Sequence, residues 1–274
     1  MKYIFIDIDG TLYSTKINGI PESAKKAIKL AKDKGNKVFL CTGRSLAESK
    51  LFLNLDIDGF VFCAGTLIYV EGKRIYEKSF DIETVQFLIK TAQENNLGIC
   101  LEGYAGAYYD EKGYESLIRY FAAGRSRKVT EKIMLDNCFY GMDNYHLKDP
   151  ISKVNVYGET VDQVNKLKEI LPHNFKGTIA LADEEQFNFG LEVTDKDINK
   201  ATGIQHVLDQ YAGATFKDVV AIGDSANDID MVEAARIGIA MGNAALSLKN
   251  CADYISSDIL DDGLYKALEH YKLI

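Results

Sequence analysis

Residues 3–11, close to the start of the chain, read YIFIDIDGT and predict the first strand of the fold. The first four of these residues form a short apolar run that is typical of a buried strand. Asp7 and Asp9 follow directly, and Gly10 permits a tight turn after them. Burying carboxylates at the end of a core strand costs free energy unless a partner compensates them. The stretch therefore predicts a strand that delivers two acidic side chains to a polar site.

Alternating strands and helices continue along both ends of the chain. Pro21 opens a helix that ends near Gly35, and a second helix is expected over 46–55. The predicted strands are the apolar runs 3–6, 37–41, 60–63, 219–222 and 237–240. Because continuous apolar strands separated by helices form parallel sheets covered on both faces, the sequence predicts an α/β fold with a Rossmann-like core.

The middle of the chain has a different order of elements. A helix after Asp81 is followed by two strands, and the same helix–strand–strand order recurs later, which indicates an inserted α+β domain of about a hundred residues. The segment 123–149 has little periodicity, and no element is predicted there. We predict a core domain built from 1–80 and 190–274, with the inserted domain at 81–189.

Composition narrows the possible partners. The 274 residues carry a net charge of −8 without a basic run, which argues against a nucleic-acid partner. No apolar run reaches the length of about 18 residues that a membrane span requires. The five cysteines are widely spaced and form no CxxC pair, so we expect reduced thiols in a cytoplasmic protein rather than a zinc site. The oligomeric state is left open.

Polar residues stand where the predicted strands end. Ligands of an open parallel sheet bind beyond the carboxyl ends of its strands, so these residues should meet at one edge. They are Asp7, Asp9, Thr42, Gly43, Asp224, Asn227 and Asp228, with Lys200 at the start of a helix. Several carboxylates in one place suit Mg²⁺, and an ammonium, a hydroxyl and backbone N–H groups at a helix start suit a phosphate.

The two neighbouring aspartates suit two different tasks in phosphoryl transfer. One carboxylate can attack phosphorus to give an aspartyl-phosphate. The other can protonate the leaving alkoxide and then deprotonate the water that hydrolyses the intermediate. Alternate residues of a strand point to the same side, so Asp7 and Asp9 can face one substrate.

Four motifs resemble the signatures of the haloacid dehalogenase (HAD) superfamily of phosphohydrolases. They are DIDGT at 7–11, CTGRS at 41–45, Lys200 before a helix, and GDSAND at 223–228. RIGIAMGNA at 236–244 and CADYISSDILDDG at 251–263 resemble the Cof-type branch, whose members carry an α/β cap inserted between the second and third signatures. The predicted domain at 81–189 lies where this resemblance places the cap.

The resemblance implies a role for each matching residue. Asp7 would be the nucleophile and Asp9 the general acid and base. Mg²⁺ would be held by Asp7, the backbone carbonyl of Asp9 and Asp224. The transferred phosphoryl group would be bound by Thr42, Gly43, Lys200 and Asn227. Asp228 would orient Lys200 or a metal-bound water, and Asn243 would lie near the site.

One position departs from the family pattern. After the third strand the family usually has Asn-Gly, whereas this chain has Ala64-Gly65, which removes a side-chain amide near the site entrance. The departure concerns a substrate contact rather than the chemistry.

We therefore predict a Mg²⁺-dependent phosphatase of small phosphorylated metabolites, with sugar phosphates as the leading substrate class. Two alternatives remain open. A phosphomutase of related fold would use the same residues and return the phosphoryl group to a sugar. A non-enzymatic phospho-accepting switch domain also pairs aspartates with a distant lysine, but such domains are shorter, lack an inserted domain and carry the acceptor on a later strand.

Overall fold

The structure is a computed structural model that describes residues 1–122, 124–183, 185 and 187–274. In the described residues the strands are β1 (Tyr3–Ile6), β2 (Lys37–Cys41), β3 (Gly59–Phe62), β4 (Leu67–Val70), β5 (Lys73–Glu77), β6 (Gly98–Gly103), β7 (Ala107–Tyr109), β8 (Phe139–Gly141), β9 (Ile151–Gly158), β10 (Phe175–Asp183), β11 (Asn188–Asp195), β12 (Val219–Gly223), β13 (Ile237–Ala240) and β14 (Tyr254–Ile255). The helices are α1 (Glu22–Asp33), α2 (Ile82–Glu94), α3 (Glu111–Ala122), α4 (Arg127–Asp136), α5 (Val161–Glu169), α6 (Lys200–Leu208), α7 (Ile229–Ala234), α8 (Leu246–Lys249) and α9 (Gly263–His270).

The chain divides into two packing units. Unit 1 comprises Met1–Arg44, Phe52–Glu77 and Ile198–Ile274, and unit 2 comprises Ser45–Leu51 and Lys78–Asp197. The functional division into 1–80, 81–189 and 190–274 stays a prediction.

Unit 1 contains the predicted α/β core. Its sheet has the order β14-β13-β12-β1-β2-β3-β4-β5, with parallel pairing from β14 to β3 and antiparallel pairing in the hairpin that follows. α1 packs with α9 and α6 with α7, so that helices cover both faces. The α/β fold class is therefore confirmed.

β1 occupies the centre of this sheet because it is apolar on both faces. All four of its residues are buried, and the ring of Phe5 stacks on that of Phe39 in β2 at 4.9 Å between centroids. In the parallel register Ile6 pairs with Ile222 in β12 and with Leu40 in β2. The polar residues that follow these three strands are consequently brought to one edge.

Unit 2 is an α+β domain around its own sheet, in the order β10-β11-β9-β6-β7-β8. Both predicted helix–strand–strand units occur in it, as α2-β6-β7 and α5-β10-β11. One apolar cluster packs against α2 and α5, and a second joins the sheet to α3 and α4. Unit 2 thus has hydrophobic clusters of its own.

Two local expectations differ from the structure. The helix expected over 46–55 is a 3₁₀-helix at Ala47–Phe52, in which Leu51 is 62% exposed and Phe52 is fully buried. Paired hydrogen bonds between Ser45 and Glu48 cap the start of this 3₁₀-helix, and its apolar residues do not share one face as a longer helix would require. The segment 123–149 contains α4 and β8, which sequence patterning did not reveal because α4 buries only Thr130 and Met134 and β8 has three residues.

Among the described residues, no helix is long and apolar enough to cross a membrane.

Candidate active site

Lys200 joins two carboxylates at the carboxyl edge of the unit 1 sheet. Its Nζ donates hydrogen bonds to Oδ1 of Asp7 at 2.6 Å and to Oδ1 of Asp228 at 2.5 Å. Asp7 follows β1, Asp228 lies in the turn after β12, and Lys200 is the first residue of α6. Lys200 and Asp228 are fully buried and Asp7 is 5% exposed. Residues from both ends of the chain thereby form one buried ion triad.

Burial and neighbouring charges shift the pKa values of Lys200 and Asp7. Burial alone would lower the pKa of Lys200, but the carboxylates of Asp228 and Asp7 more than offset it, so the pKa is raised and the ammonium stays charged. Burial raises the pKa of Asp7 well above its usual range; the charge of Asp228 acts in the same direction, and Lys200 opposes both. Asp7 therefore needs further positive charge nearby to stay ionised.

Asp224 adds a third carboxylate to the group. One oxygen of each of Asp7, Asp224 and Asp228 lies within 4.8 Å of the others, and we call these three residues the acidic cluster. Burial and the charge of Asp228 raise the pKa of Asp224 to about 6. Three oxygen donors offset by one ammonium fit a hard divalent cation such as Mg²⁺. The sequence also predicted the backbone carbonyl of Asp9 as a ligand.

The GDSAND turn shapes the cluster through its backbone. Oδ2 of Asp228 accepts hydrogen bonds from the backbone N–H groups of Asp224 at 3.0 Å and Ser225 at 2.9 Å. A Cβ at Gly223 would lie 2.4 Å from Cγ of Asp228, so only glycine leaves room for this carboxylate. The turn thus fixes Asp228 against Lys200.

The turn after β1 requires glycine for a similar reason. Gly10 has φ +78°, and a Cβ there would lie 2.1 Å from Oδ2 of Asp224. Nδ2 of Asn243 donates to the carbonyl of Gly10 at 2.8 Å, while its Oδ1 accepts from the backbone N–H of Ile259 at 3.0 Å. Asn243, which was predicted near the site, holds this turn in place.

The carboxylate of Asp9 lies outside the acidic cluster and is paired with Arg44. Nε of Arg44 donates to Oδ2 of Asp9 at 2.7 Å, and Nη2 donates to Oδ1 at 2.6 Å. The Asp9 side chain is 51% exposed. The two aspartates of DIDGT therefore occupy different environments, one buried beside Lys200 and one held by a guanidinium.

The predicted phosphate-binding residues present hydrogen-bond donors at the same edge. Oγ1 of Thr42 accepts from the backbone N–H of Arg44 at 3.1 Å, which leaves its hydroxyl hydrogen to donate. Oδ1 of Asn227 accepts from the hydroxyl of Ser225 at 2.8 Å, so its amide hydrogens point elsewhere. A Cβ at Gly43 would lie 3.7 Å from Nδ2 of Asn227, which places these two residues side by side.

Two features of this edge were not predicted. Arg44 lies within the CTGRS motif, but no role was predicted for it. Its position directly after Thr42 and Gly43, at the end of a strand, is the signal that could have indicated a site residue. The Ala64-Gly65 departure has an unusual backbone, because Cys63 has φ +47° and Ala64 φ +52°. The N–H of Ala64 donates to the carbonyl of Thr42 at 2.9 Å, so this segment supports the Thr42 loop.

Comparison with protein families gives one match along almost the whole chain. The sequence model of the family described as haloacid dehalogenase-like hydrolase matches residues 4–268. The matched range includes Asp7, α6 and the GDSAND turn.

Two relatives align over nearly their whole lengths. The chain is 28% identical over 283 residues to the 5-amino-6-(5-phospho-D-ribitylamino)uracil phosphatase YcsE of Bacillus subtilis, covering 100% of this chain and 96% of that protein. It is 25% identical over 272 residues to a phosphoglycolate phosphatase of Methanobrevibacter smithii, covering 98% of each. Among solved structures, BT1666 of Bacteroides thetaiotaomicron, a HAD-superfamily phosphatase, has a TM-score of 0.81 at 23% identity, with 100% and 96% coverage. This structural likeness concerns the fold.

Proposed function

The chain belongs to the haloacid dehalogenase-like hydrolases, and on that premise we propose that it is a Mg²⁺-dependent phosphatase of small phosphorylated metabolites in which Asp7 is the nucleophile. The superfamily and the enzyme class expected from the sequence, a phosphoric monoester hydrolase, are confirmed. The mechanism, the metal and the substrate class are what we propose.

The observation that carries the proposal is the bridge that Lys200 makes between Asp7 and Asp228. It presents one oxygen of Asp7 beside a permanent positive charge in a buried place. Phosphoryl transfer depends mainly on positioning and on neutralising the phosphoryl charge. A buried carboxylate with an ammonium at 2.6 Å meets both needs.

The acidic cluster fits the metal that the proposal requires. Asp7, Asp224 and the backbone carbonyl of Asp9 would hold Mg²⁺, which when bound supplies positive charge to the phosphoryl oxygens. Asp228 keeps Lys200 in place, because it accepts one of the hydrogen bonds of that ammonium.

The reaction then consists of two displacements at phosphorus. In the first, a carboxylate oxygen of Asp7 forms a bond to phosphorus while the ester bond breaks, and Asp9 gives its proton to the leaving oxygen. In the second, Asp9 takes a proton from water, the water oxygen bonds to phosphorus, and the bond to Asp7 breaks. Inorganic phosphate leaves, and both aspartates return to their starting state.

The donors at the sheet edge would hold the transferred group during both steps. The Thr42 hydroxyl, the Gly43 N–H and the Asn227 amide supply hydrogen bonds, and Lys200 supplies charge. Asn243 contributes indirectly by fixing the carbonyl of Gly10.

We propose sugar phosphates and related polyol phosphates as the first substrates to test. The supporting observation is that the relative YcsE is named for a phosphoribityl compound, whereas another relative is named for phosphoglycolate. The domain predicted at 81–189 would serve as the cap that selects the leaving group. We place the enzyme in the cytoplasm, since its cysteines carry free thiols.

The test is phosphate release by the purified protein from a panel of sugar phosphates, polyol phosphates, phosphoglycolate and p-nitrophenyl phosphate. We expect release with Mg²⁺ and none after chelation. Asp7→Asn should abolish it, whereas Asp33→Asn, an exposed α1 position paired with Lys29, should not. Isomerised sugar phosphate without inorganic phosphate would instead identify a phosphomutase, and full activity of Asp7→Asn would overturn the proposal.

A further inference from the structure

We propose that Arg44 is the positioning residue for Asp9, so that it governs proton transfer to the leaving group and not binding of the phosphoryl group. The inference rests on the proposed function, in which Asp9 is the general acid and base. Neither the family resemblance nor the acidic cluster accounts for Arg44.

The guanidinium of Arg44 donates a hydrogen bond to each carboxylate oxygen of Asp9. The two hydrogen bonds, from Nε at 2.7 Å and from Nη2 at 2.6 Å, form a two-point fork. Such a fork fixes the rotation of a carboxylate as well as its position, which a single-point contact does not do. Asp9 needs this support because its side chain is 51% exposed and water surrounds much of it.

Two aromatic rings hold the guanidinium itself. Its Cζ lies 5.5 Å from the centroid of Tyr13 and 5.5 Å from that of Phe52, within the range of cation–π attraction. The two rings meet edge to face at 5.8 Å, and Phe52 is fully buried. The guanidinium of Arg44 therefore packs against two aromatic side chains of unit 1.

The backbone on either side of this contact is also fixed. The N–H of Arg44 donates to Thr42 Oγ1 at 3.1 Å, and its carbonyl accepts from the N–H of Cys63 at 2.9 Å. On the opposite side, the carbonyl of Tyr13 accepts from the N–H of Gly10 at 2.9 Å, next to Asp9. Tyr13 thus supports both members of the pair, one through its ring and one through its backbone.

The consequence is specific to one chemical step. A p-nitrophenolate leaves without a proton, whereas an alkoxide must be protonated as it departs. A general acid that is displaced by about 1 Å can lose about 10²-fold in rate. Loss of Arg44 should therefore slow hydrolysis of an alkyl phosphate far more than hydrolysis of an aryl phosphate.

The experiment compares kcat/KM for p-nitrophenyl phosphate and for the best alkyl phosphate of the substrate panel. This parameter covers substrate binding and the steps up to departure of the leaving group, so the difference between the alkyl and the aryl ester reports proton donation. For Arg44→Ala we expect a loss of about 10²-fold with the alkyl ester and of less than about 10-fold with the aryl ester. Inhibition by inorganic phosphate, which reports phosphoryl binding, should stay within about twofold of the wild type.

Companion variants separate positioning from folding. Arg44→Lys keeps the charge without the fork and should fall between wild type and Arg44→Ala. Arg44→Ala should add little to Asp9→Asn in the double variant, because both changes act on one group. Arg74→Ala removes an exposed arginine that is paired with Glu77 and serves as the matched control. If Arg44→Ala does not fold, Arg44→Lys and Arg44→Met carry the same comparison.

The opposite results overturn the proposal. Equal losses on the two esters, weaker inhibition by phosphate, or full additivity with Asp9→Asn would each show that Arg44 binds the phosphoryl group or supports the fold generally. If the wild-type protein releases phosphate from neither ester, the proposed function itself fails, and this role for Arg44 fails with it.

Discussion

Nζ of Lys200 lies 2.6 Å from Oδ1 of Asp7, although 193 residues separate them in the chain. The contact joins the first strand to a helix that begins after the inserted domain. It supplies positive charge to a carboxylate whose burial would otherwise be unfavourable. The packing of unit 1 and the chemistry that we propose for it consequently involve the same pair.

Lys200→Met tests how far the buried charges depend on this ammonium. The substitution leaves Asp7 and Asp228 without their counter-charge, so the free energy of unfolding at neutral pH should fall by about 3–5 kcal/mol. Urea denaturation measures it. Lys29→Met removes an exposed ion pair with Asp33 and should change stability little. Similar effects for the two variants would contradict the buried triad.

Gly10→Ala tests the close approach of the DIDGT turn to the cluster. Gly10 and Gly72 have nearly equal φ values, +78° and +77°, but only at Gly10 would a Cβ meet a neighbour, Oδ2 of Asp224 at 2.1 Å. Gly72→Ala should cost about 1–2 kcal/mol from backbone strain alone. Gly10→Ala should cost more and should also abolish phosphate release. Equal losses of stability in denaturation would refute the steric explanation.

The pH dependence of metal binding follows from Asp224. Its pKa is raised to about 6, so the metal-free protein gains stability from protonation as pH falls through that value and loses it as pH rises. Mg²⁺ requires ionised Asp224, so below about pH 6 its apparent affinity should fall at least about tenfold per pH unit, and more steeply where Asp7, whose pKa is also raised, must lose a proton too. Titration calorimetry between about pH 7.5 and about pH 5 measures this. A pH-independent affinity would exclude Asp224 as a ligand.

Asn243 offers a separate test of the turn. Asn243→Asp keeps the acceptor for Ile259 but loses the donor to the Gly10 carbonyl, whereas Asn243→Ala loses both. Both variants should weaken Mg²⁺ binding, and Asn243→Ala should lose about 1 kcal/mol more stability for the second hydrogen bond. Thermal shifts with and without Mg²⁺ measure both effects. Unchanged Mg²⁺ affinity in both variants would limit Asn243 to a structural role.

Much of the core could be predicted because its signals are local. The apolar run before Asp7 indicated a buried strand, and the rule that ligands gather at strand ends placed Asp224 near it. The family resemblance placed Lys200, at the start of a helix, in the same site. The burial of Ala24, Ala27, Ile28 and Ala31 on α1 followed from helical spacing in the same way.

What could not be predicted depends on contacts between distant segments. The pairing of Arg44 with Asp9 requires the relative placement of two loops, and neither residue signals it alone. The left-handed backbone at Cys63 and Ala64 is imposed by bonds to the Thr42 loop and not by residue preference. α4 and β8 have too few buried apolar residues to show a helical or strand periodicity in the sequence.

The central claim is that the phosphoryl group passes through Asp7. The most direct measurement is mass spectrometry of Asp9→Asn protein that is mixed with Mg²⁺ and p-nitrophenyl phosphate and quenched in acid. Its aryl leaving group needs no proton, while the second step lacks its base, so the intermediate should accumulate. We predict one phosphoryl group on the peptide that contains Asp7, and none in Asp7→Asn. A phosphoryl group on another residue, or an unmodified protein that still releases p-nitrophenol, would contradict the mechanism.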